Sequence, residues 1–495
     1  MKQTVYIILA MLISACQSEK KVEKTPFQEL TERVDHYANQ IIQKANINSL
    51  AVAVYKDGDM YHSYYGSMAK GKNTPPNDST LYEIASITKV FVGSLAAKAV
   101  LDKKITLEDD IRLYLDGEYP NLEYEGTPIT VRNLLTHTLG LKDKRPERSQ
   151  AIRDSIAQGY FKDAPIPYTV IDFLEDLKTM ALDKKPGTVF VYNSMGSELM
   201  SHILEKVYQD SFNNLLSTFL QELEMNDTYL ENTQLQRNPN CIVGYGEDGN
   251  PAPRDRSPLL GGGGGLVSTL PDLMKFMQFQ LESTNPIIKE STKILFEDEE
   301  ETMGYLWQNM GVAEIEGFYY GKTGTSFGMQ SSLLLCPGSN YGKILILNNT
   351  SDAAIDDWAH LYNVVETDLI MFPKINLLRH LKEDFIADHE KAKERFMVLA
   401  KEEDKYHNTN LNFTLNALAY ELMYVDQNPG KAIEILQFAI QEFSEDGNLQ
   451  DSLGEAYFVA KNYVESQKSY TKALEMNPDN NNAKAYLFEI EKRMQ

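Results

Sequence analysis

Ser86 and Lys89 stand three residues apart in the stretch Ala85-Ser86-Ile87-Thr88-Lys89-Val90-Phe91. On a helix, that spacing puts both side chains on one face, about one turn apart. The lysine amine then reaches the serine hydroxyl. A hydroxyl is a weak nucleophile until a base takes its proton. A lysine is such a base only where burial or a neighbouring cation lowers its pKa. The chemistry indicated is acyl transfer, with Ser86 attacking a carbonyl. The spacing alone discriminates poorly, because Ser18/Lys21, Ser67/Lys70 and Ser469/Lys472 share it. Ser86 is singled out by two motifs later in the chain, Tyr192-Asn193-Ser194 and then Lys322-Thr323-Gly324.

The elements that must position these groups are legible in outline. Thr80–Ile84 reads as a strand leading into Ser86, and Val90–Leu101 as an apolar helix. Phe27–Lys44 has helical periodicity (Leu30, Val34, Tyr37, Ile41). Leu50–Tyr55 and Met60–Tyr65 read as strands joined at Asp57-Gly58, a strong hairpin signal. Helices are expected over Ile129–Leu135, Tyr168–Met180, Glu198–Gln209 and Asp352–Met371, with Thr269 capping another that carries Pro271 in its first turn. Phe318–Thr325, Met329–Cys336 and Lys343–Asn348 read as three consecutive strands. Strands at both ends with helices between predict an α+β fold, one antiparallel sheet flanked by helices on both faces.

Two glycine motifs invite other chemistry. Gly261–Gly265 is followed by Leu266-Val267-Ser268-Thr269 and lacks the Lys-Ser/Thr of a phosphate loop. Gly324-Thr325-Ser326-Phe327-Gly328 matches a nucleophile elbow, which needs a helix after it, whereas a strand is expected there.

The net charge of −23 argues against a basic nucleic-acid surface. The eight histidines are scattered, and no metal-ligand spacing or cofactor motif is present. Cys241 and Cys336 read equally as an exported disulfide or as buried thiols.

The N-terminus reads as a targeting segment: Lys2, then an apolar run over Val5–Ile13, too short to span a bilayer. Ile13-Ser14-Ala15-Cys16 resembles the lipobox of bacterial lipoproteins. That resemblance implies removal of residues 1–15, lipidation of Cys16, a tether over 16–26, and an exported, membrane-anchored protein of the cell envelope.

The ordered motifs resemble the class C β-lactamase-related serine hydrolases over about residues 27–371, with Leu134-Leu135-Thr136-His137-Thr138 and Gly265-Leu266-Val267-Ser268-Thr269 as further landmarks. The resemblance implies a Ser86 acyl-enzyme, proton transfer shared by Lys89 and Tyr192, substrate contacts from Ser194, Lys322, Thr323 and Gly324, and an oxyanion hole from the backbone N–H groups of Ser86 and Thr325. Lys89 and Lys322 are expected to favour the Tyr192 phenolate and to depress each other's pKa. Gly324 is expected to let substrate backbone lie against the strand. Ser194 stands where the family usually has asparagine, and Leu139 where it often has serine; His137 reads as structural. The substrates implied are a D-amino-acid peptide, a β-lactam, or a small ester or amide.

After a charged helical connector over 372–410, residues 411–495 resemble tetratricopeptide repeats. Leu453-Gly454, Tyr457, Tyr470, Ala473 and Pro478 carry the better copy, with Ser466 at the usual alanine, and Leu418-Ala419, Leu422, Ala432, Leu436 and Ala439 the weaker. This all-α module implies a protein partner and is expected to pack on the connector or the catalytic part. The rival reading is an inert hydrolase fold serving as a binding scaffold through these repeats.

Overall fold

The computed structural model describes residues 24–44, 47–162, 164–231, 238–407, 410–424 and 426–494. The lipobox and Cys16 lie outside the described residues.

Six strands form the central sheet: β1 (Ser49–Lys56), β2 (Asp59–Gly66), β3 (Gln308–Ala313), β4 (Gly317–Thr325), β5 (Gln330–Cys336) and β6 (Tyr341–Leu347), in the order β3-β4-β5-β6-β1-β2. The expected hairpin forms, with Asp57 and Gly58 both at positive φ (53° and 100°), as a twist-matched two-residue turn requires. β1 joins the late strands antiparallel, Leu50 facing Leu347 and Lys56 facing Tyr341. The ends of the domain therefore meet in one sheet, as the strand pattern predicts.

The helices of this part are α1 (Pro26–Ile42), α2 (Thr88–Leu101), α3 (Val131–Thr136), α4 (Glu147–Ala157), α5 (Val170–Leu177), α6 (Met195–Tyr208), α7 (Phe212–Glu222), α8 (Leu270–Glu282), α9 (Pro286–Ser291) and α10 (Asp352–Met371). Every residue of β1 is buried, because both faces of the sheet are covered. Ala51, Ala53 and Tyr55 face a core shared with α2 and α8. Leu50, Val52 and Val54 face a second core shared with α1 and α10. α2 is apolar all round and buried from Thr88 through Ala97, so Lys89 enters the core on a rigid element.

Four of the elements named above lie beyond those expected. β3 and α4 bury little (Met310 alone in β3, Ser149 and Ile156 in α4), so they lack a readable apolar stripe. α7 buries Phe212, Leu216, Phe219 and Leu220 behind a Ser211 cap, a pattern the sequence does carry. α9 is a six-residue segment that starts at Pro286.

Beyond α10, α11 (Leu377–Ala387) and α12 (His389–Leu399) precede five helices, α13 (Leu411–Tyr424), α14 (Pro429–Glu442), α15 (Gly447–Val459), α16 (Tyr463–Met476) and α17 (Asn481–Met494). Leu381, Phe385 and Phe396 of the connector share one core with Leu415, Leu418 and Leu436. Lys382 adds ion pairs to Glu421 (2.9 Å) and Asp426 (2.8 Å). The helical module thus packs on the connector. Gly454 lies against Tyr470, where an added Cβ would come within 2.8 Å of the ring, and Ser466 donates to the Gly454 carbonyl (2.7 Å). No disulfide forms among the described residues, and Cys241 and Cys336 are both buried.

Candidate active site

Tyr82-Glu83 pairs with Val267-Ser268, and the Ile84 N–H donates to the Leu266 carbonyl (3.2 Å). The chain then turns sharply at Ala85, whose φ of 47° is left-handed for a residue with a Cβ. A single 3₁₀ turn, Ala85–Ile87, carries Ser86 into α2. Lys89 Nζ comes to rest 3.0 Å from Ser86 Oγ. It also donates to Ser194 Oγ (3.3 Å) and to the Gly263 carbonyl. Three acceptors thus meet the three N–H donors of the charged amine, and the deprotonated form can turn its lone pair to the Ser86 hydroxyl. Lys89 is fully buried, and that burial is the main cause pushing its pKa down to about 7; the carboxylate of Glu198 pulls the other way.

The five-glycine run is a packing device around this amine. A Cβ on Gly262 would stand 2.0 Å from Ser201 Oγ, and one on Gly263 would stand 3.0 Å from both Glu198 Oε1 and Ser194 Cβ. Glu198, one turn beyond Ser194 on α6, accepts from the Gly261 N–H (3.2 Å) and the Gly263 N–H (3.0 Å). Gly263 therefore joins Glu198 through its N–H to Lys89 through its carbonyl. Burial pushes the Glu198 carboxyl upward, with the Gly263 N–H opposing.

Tyr192 lies in the loop before α6, as the motif predicts. The Thr-His-Thr landmark holds that loop: the Val191 N–H donates to the His137 carbonyl (2.9 Å), and the His137 ring packs on Tyr192 with centroids 4.6 Å apart. His137 is fully buried in a left-handed backbone conformation and is held neutral, first by burial, then by the charges of Lys322 and Lys89. Its ring is packed against Tyr192 and Phe190.

Lys89 Nζ and Lys322 Nζ sit 5.1 and 4.7 Å from the Tyr192 ring centroid. Burial pushes Lys322 well below the usual lysine range, and the charge of Lys89 adds to the shift. The expected phenolate is not favoured. Burial pushes the Tyr192 phenol up to about 12, with a hydrogen bond to Ser86 opposing. The reason is that the same dry site that would make cations effective also penalises the buried phenolate itself. The shifts thus favour the neutral phenol at Tyr192 and ease deprotonation of Lys89.

β4 brings the third motif. β3 pairs with β4 only as far as Gln308 opposite Gly321, so Lys322–Thr325 forms a free edge. The Ser326 N–H donates to Met329 across the hairpin to β5 (2.9 Å). By antiparallel alternation the Thr325 N–H then points to the free edge, beside Ser86. Lys322 is held by the Gln308 side-chain carbonyl. Ser331 Oγ donates to both the Ile84 and Gly324 carbonyls (3.1 Å each), tying the serine turn to the strand.

Two strand residues differ from expectation. A Cβ on Gly324 would stand 2.2 Å from the Ile84 carbonyl and 3.0 Å from the Ser86 nitrogen. The glycine therefore serves the docking of the serine turn on the strand. Thr323 alternates away from Lys322 and lines a separate cleft with Tyr319, Leu334 and Trp358, so its side chain does not face Ser86. Gly324→Ala is expected to shift the serine turn and lower kcat about 100-fold, since displacements near 1 Å cost that much; steady-state turnover of the folded variant measures it. The nucleophile-elbow match fails as expected, since Ser326 is buried in a hairpin turn that β5 follows.

Ser86, Ser194, Met195, Glu198, Gly263 and Thr325 line one cleft. Glu198, Gln308, Ser331 and the arginines of its far wall were not legible as site residues. Only Glu198 carried a signal, its four-residue spacing from Ser194 on one helix face.

Residues 34–364 match the Beta-lactamase family. Protein flp of Staphylococcus aureus (strain N315) is 22% identical over 331 residues, 65% of this chain and 64% of that protein, so the chain spans under two thirds of that relative's length. The D-alanyl-D-alanine-carboxypeptidase/endopeptidase AmpH of Escherichia coli (strain K12) is 22% identical over 381 residues, 73% of this chain and 95% of that protein. The structure of a beta-lactamase/D-alanine carboxypeptidase from Yersinia pestis, complexed with citrate, shares the fold with a TM-score of 0.58 and 19% identity, over 70% of this chain and 99% of that one. The family match runs from within α1 to within α10, and the chain belongs to the beta-lactamase family.

Proposed function

We propose that this chain is a serine hydrolase that cleaves an amide or ester through an acyl-enzyme on Ser86, with β-lactams and D-alanyl peptides as the substrate class. The observation that carries the reading is the fully buried Lys89 amine, 3.0 Å from Ser86 Oγ, with its pKa pushed down to about 7. A neutral amine at that distance takes the Ser86 proton as the Oγ–carbon bond forms. The Ser86 and Thr325 N–H groups receive the oxyanion, a donor typically worth about 10²–10³ in rate. The bond to the leaving atom then breaks as that atom gains a proton from the neutral Tyr192 phenol beside Ser86, and the proton that Lys89 took from Ser86 passes to the Tyr192 oxygen, so that both groups are neutral again before water enters. Water reverses the sequence: its proton goes to Lys89, its oxygen to the acyl carbon, and Ser86 Oγ departs protonated. Ser194 offers its hydroxyl to the substrate from the cleft wall, and Lys322 suits a substrate carboxylate.

Incubation with a fluorescent penicillin and with a fluorophosphonate tests the reading. The expected result is a single adduct by intact mass, mapped to Ser86 by peptide digestion. Absence of adduct with both reagents would favour the inert scaffold instead.

The same reading makes the protein a cell-envelope lipoprotein anchored through Cys16, with the C-terminal helices as tetratricopeptide-like repeats that bind a protein. Metabolic labelling with a palmitate analogue checks the anchor: label is expected in the native chain and lost in Cys16→Ser, and unlabelled native chain would sink it.

A further inference from the structure

The cleft wall built by α4 and the loop at 253–259 carries charge that the proposed mechanism leaves unused. Arg145, Arg153 and Arg256 line it, with Asp255 and Glu198 as the carboxylates. Four of these five groups are engaged. Arg153 pairs with Asp255 (2.8 and 3.4 Å) and stacks on Phe327, 4.7 Å from its ring centroid. Arg256 donates to the carbonyls of Phe161 (2.8 Å) and Ala164 (2.9 Å). Glu198 is held by the glycine loop. Arg145 is half-buried in the wall and makes no hydrogen bond or ion pair among the described residues. Burial pushes its pKa down, and the neighbouring Arg153 adds to that. The carboxylates of Asp255, Asp154 and Glu198 oppose that shift from a distance, but none of them bonds to the guanidinium, and a desolvated guanidinium beside a second one is costly to hold without a directly bonded anion. This cationic wall sits in a chain of net charge −23.

The position of the wall says which part of a substrate would meet it. Tyr192 and Lys322, the groups placed to protonate and hold a leaving group, do not line this wall. Seen from Ser86, the wall lies beyond Ser194 and Glu198 and meets the sheet at the Thr325 end of the free edge, where Arg153 stacks on Phe327, whereas Lys322 lies outside it. The leaving group departs toward Tyr192, and the acyl part extends toward the arginines.

We propose that the Arg145 wall is the acyl-donor subsite, and that it selects substrates whose acyl part carries a carboxylate, gripped by Arg145 with Arg153 beside it. The proposal rests on the hydrolase reading. A planar guanidinium matches a carboxylate through two parallel N–H bonds, which fixes orientation as well as affinity.

Two D-alanyl thioesters with one leaving group test it, one N-glutaryl and the other its neutral glutaramyl isostere. The native chain is expected to prefer the glutaryl donor by about 10–100-fold in kcat/KM, the range for hydrogen bonds to a charged group, and chiefly through KM. In Arg145→Gln the ratio between the two donors is expected to collapse toward one. In Asp255→Asn, which releases Arg153 from its partner, the ratio is expected to widen, an outcome that a purely structural role would not produce. Equal rates in the native chain, or a preference that survives Arg145→Gln, overturns the proposal. If neither donor is turned over and the fluorophosphonate leaves no adduct, the hydrolase reading has failed. Calorimetry on Ser86→Ala then still decides the subsite. Tighter binding of the glutaryl donor, lost in Ser86→Ala/Arg145→Gln, supports it, and equal binding of the two donors overturns it.

Discussion

Ser86→Ala is expected to lower kcat by about 10⁶-fold, the scale seen when the nucleophile of a serine hydrolase is removed. Lys89 is wholly buried and Tyr192 is a phenol of pKa about 12, so neither replaces the lost oxygen as nucleophile. The Ser86 and Thr325 N–H groups survive the substitution, and they account for whatever rate remains. Ser86 sits half-buried at the start of α2, and no backbone bond of that turn depends on its side chain. The variant should therefore fold, and its thermal melt should match the native one. Steady-state hydrolysis of a chromogenic β-lactam or an alanyl thioester measures the loss. A variant that retains native turnover would remove Ser86 from the mechanism.

The second large effect belongs to Lys89. Its pKa of about 7 makes it neutral, and so able to accept the Ser86 proton, only above that pH. Because the required form is the deprotonated one, kcat/KM is expected to rise tenfold per pH unit below about 7 and to level off above it. The phenol of Tyr192, at about 12, places no alkaline limb within the usual range. Lys89→Ala should cost about 10²–10⁴-fold, the span typical of a general base. The pH profile also tests Glu198. Its carboxylate raises the Lys89 pKa, so Glu198→Gln should move the acid limb to lower pH. A limb that stays in place would show that Glu198 only holds the glycine loop. A native profile flat from pH 5 to 9 would exclude Lys89 as the base.

The serine–lysine pair, the tyrosine loop and the lysine strand of the candidate site were all legible in the sequence, because each is a short motif whose geometry is set locally. A spacing of three on a helical turn fixes a distance wherever the helix goes. The strong periodic elements were legible for a related reason. β1, β5 and β6 are buried on both faces, and α10 is expected and observed over Asp352–Met371. The weakly amphipathic β3 and α4 were not, yet β3 supplies Gln308 to hold Lys322 and α4 supplies Arg153 to the cleft wall.

The proton chemistry could not be settled from residue types. A tyrosine between two lysines reads as a phenolate when charges are counted and as a phenol when burial is included. Desolvation acts on every member of the cluster, and its size depends on how tightly α2, α6 and β4 close around the amines. The reason for Gly324 was hidden likewise, since the Ile84 carbonyl that excludes a Cβ comes from a segment far away in sequence. The same holds for the Gly263 carbonyl on Lys89 and for the solitary Arg145. Which side chains are candidates for the chemistry, and the order in which they occur, could be read from residue order alone, because local spacing encodes both. The direction of their pKa shifts and the charge left without a bonded partner emerge on folding, because both depend on burial and on neighbours from distant parts of the chain.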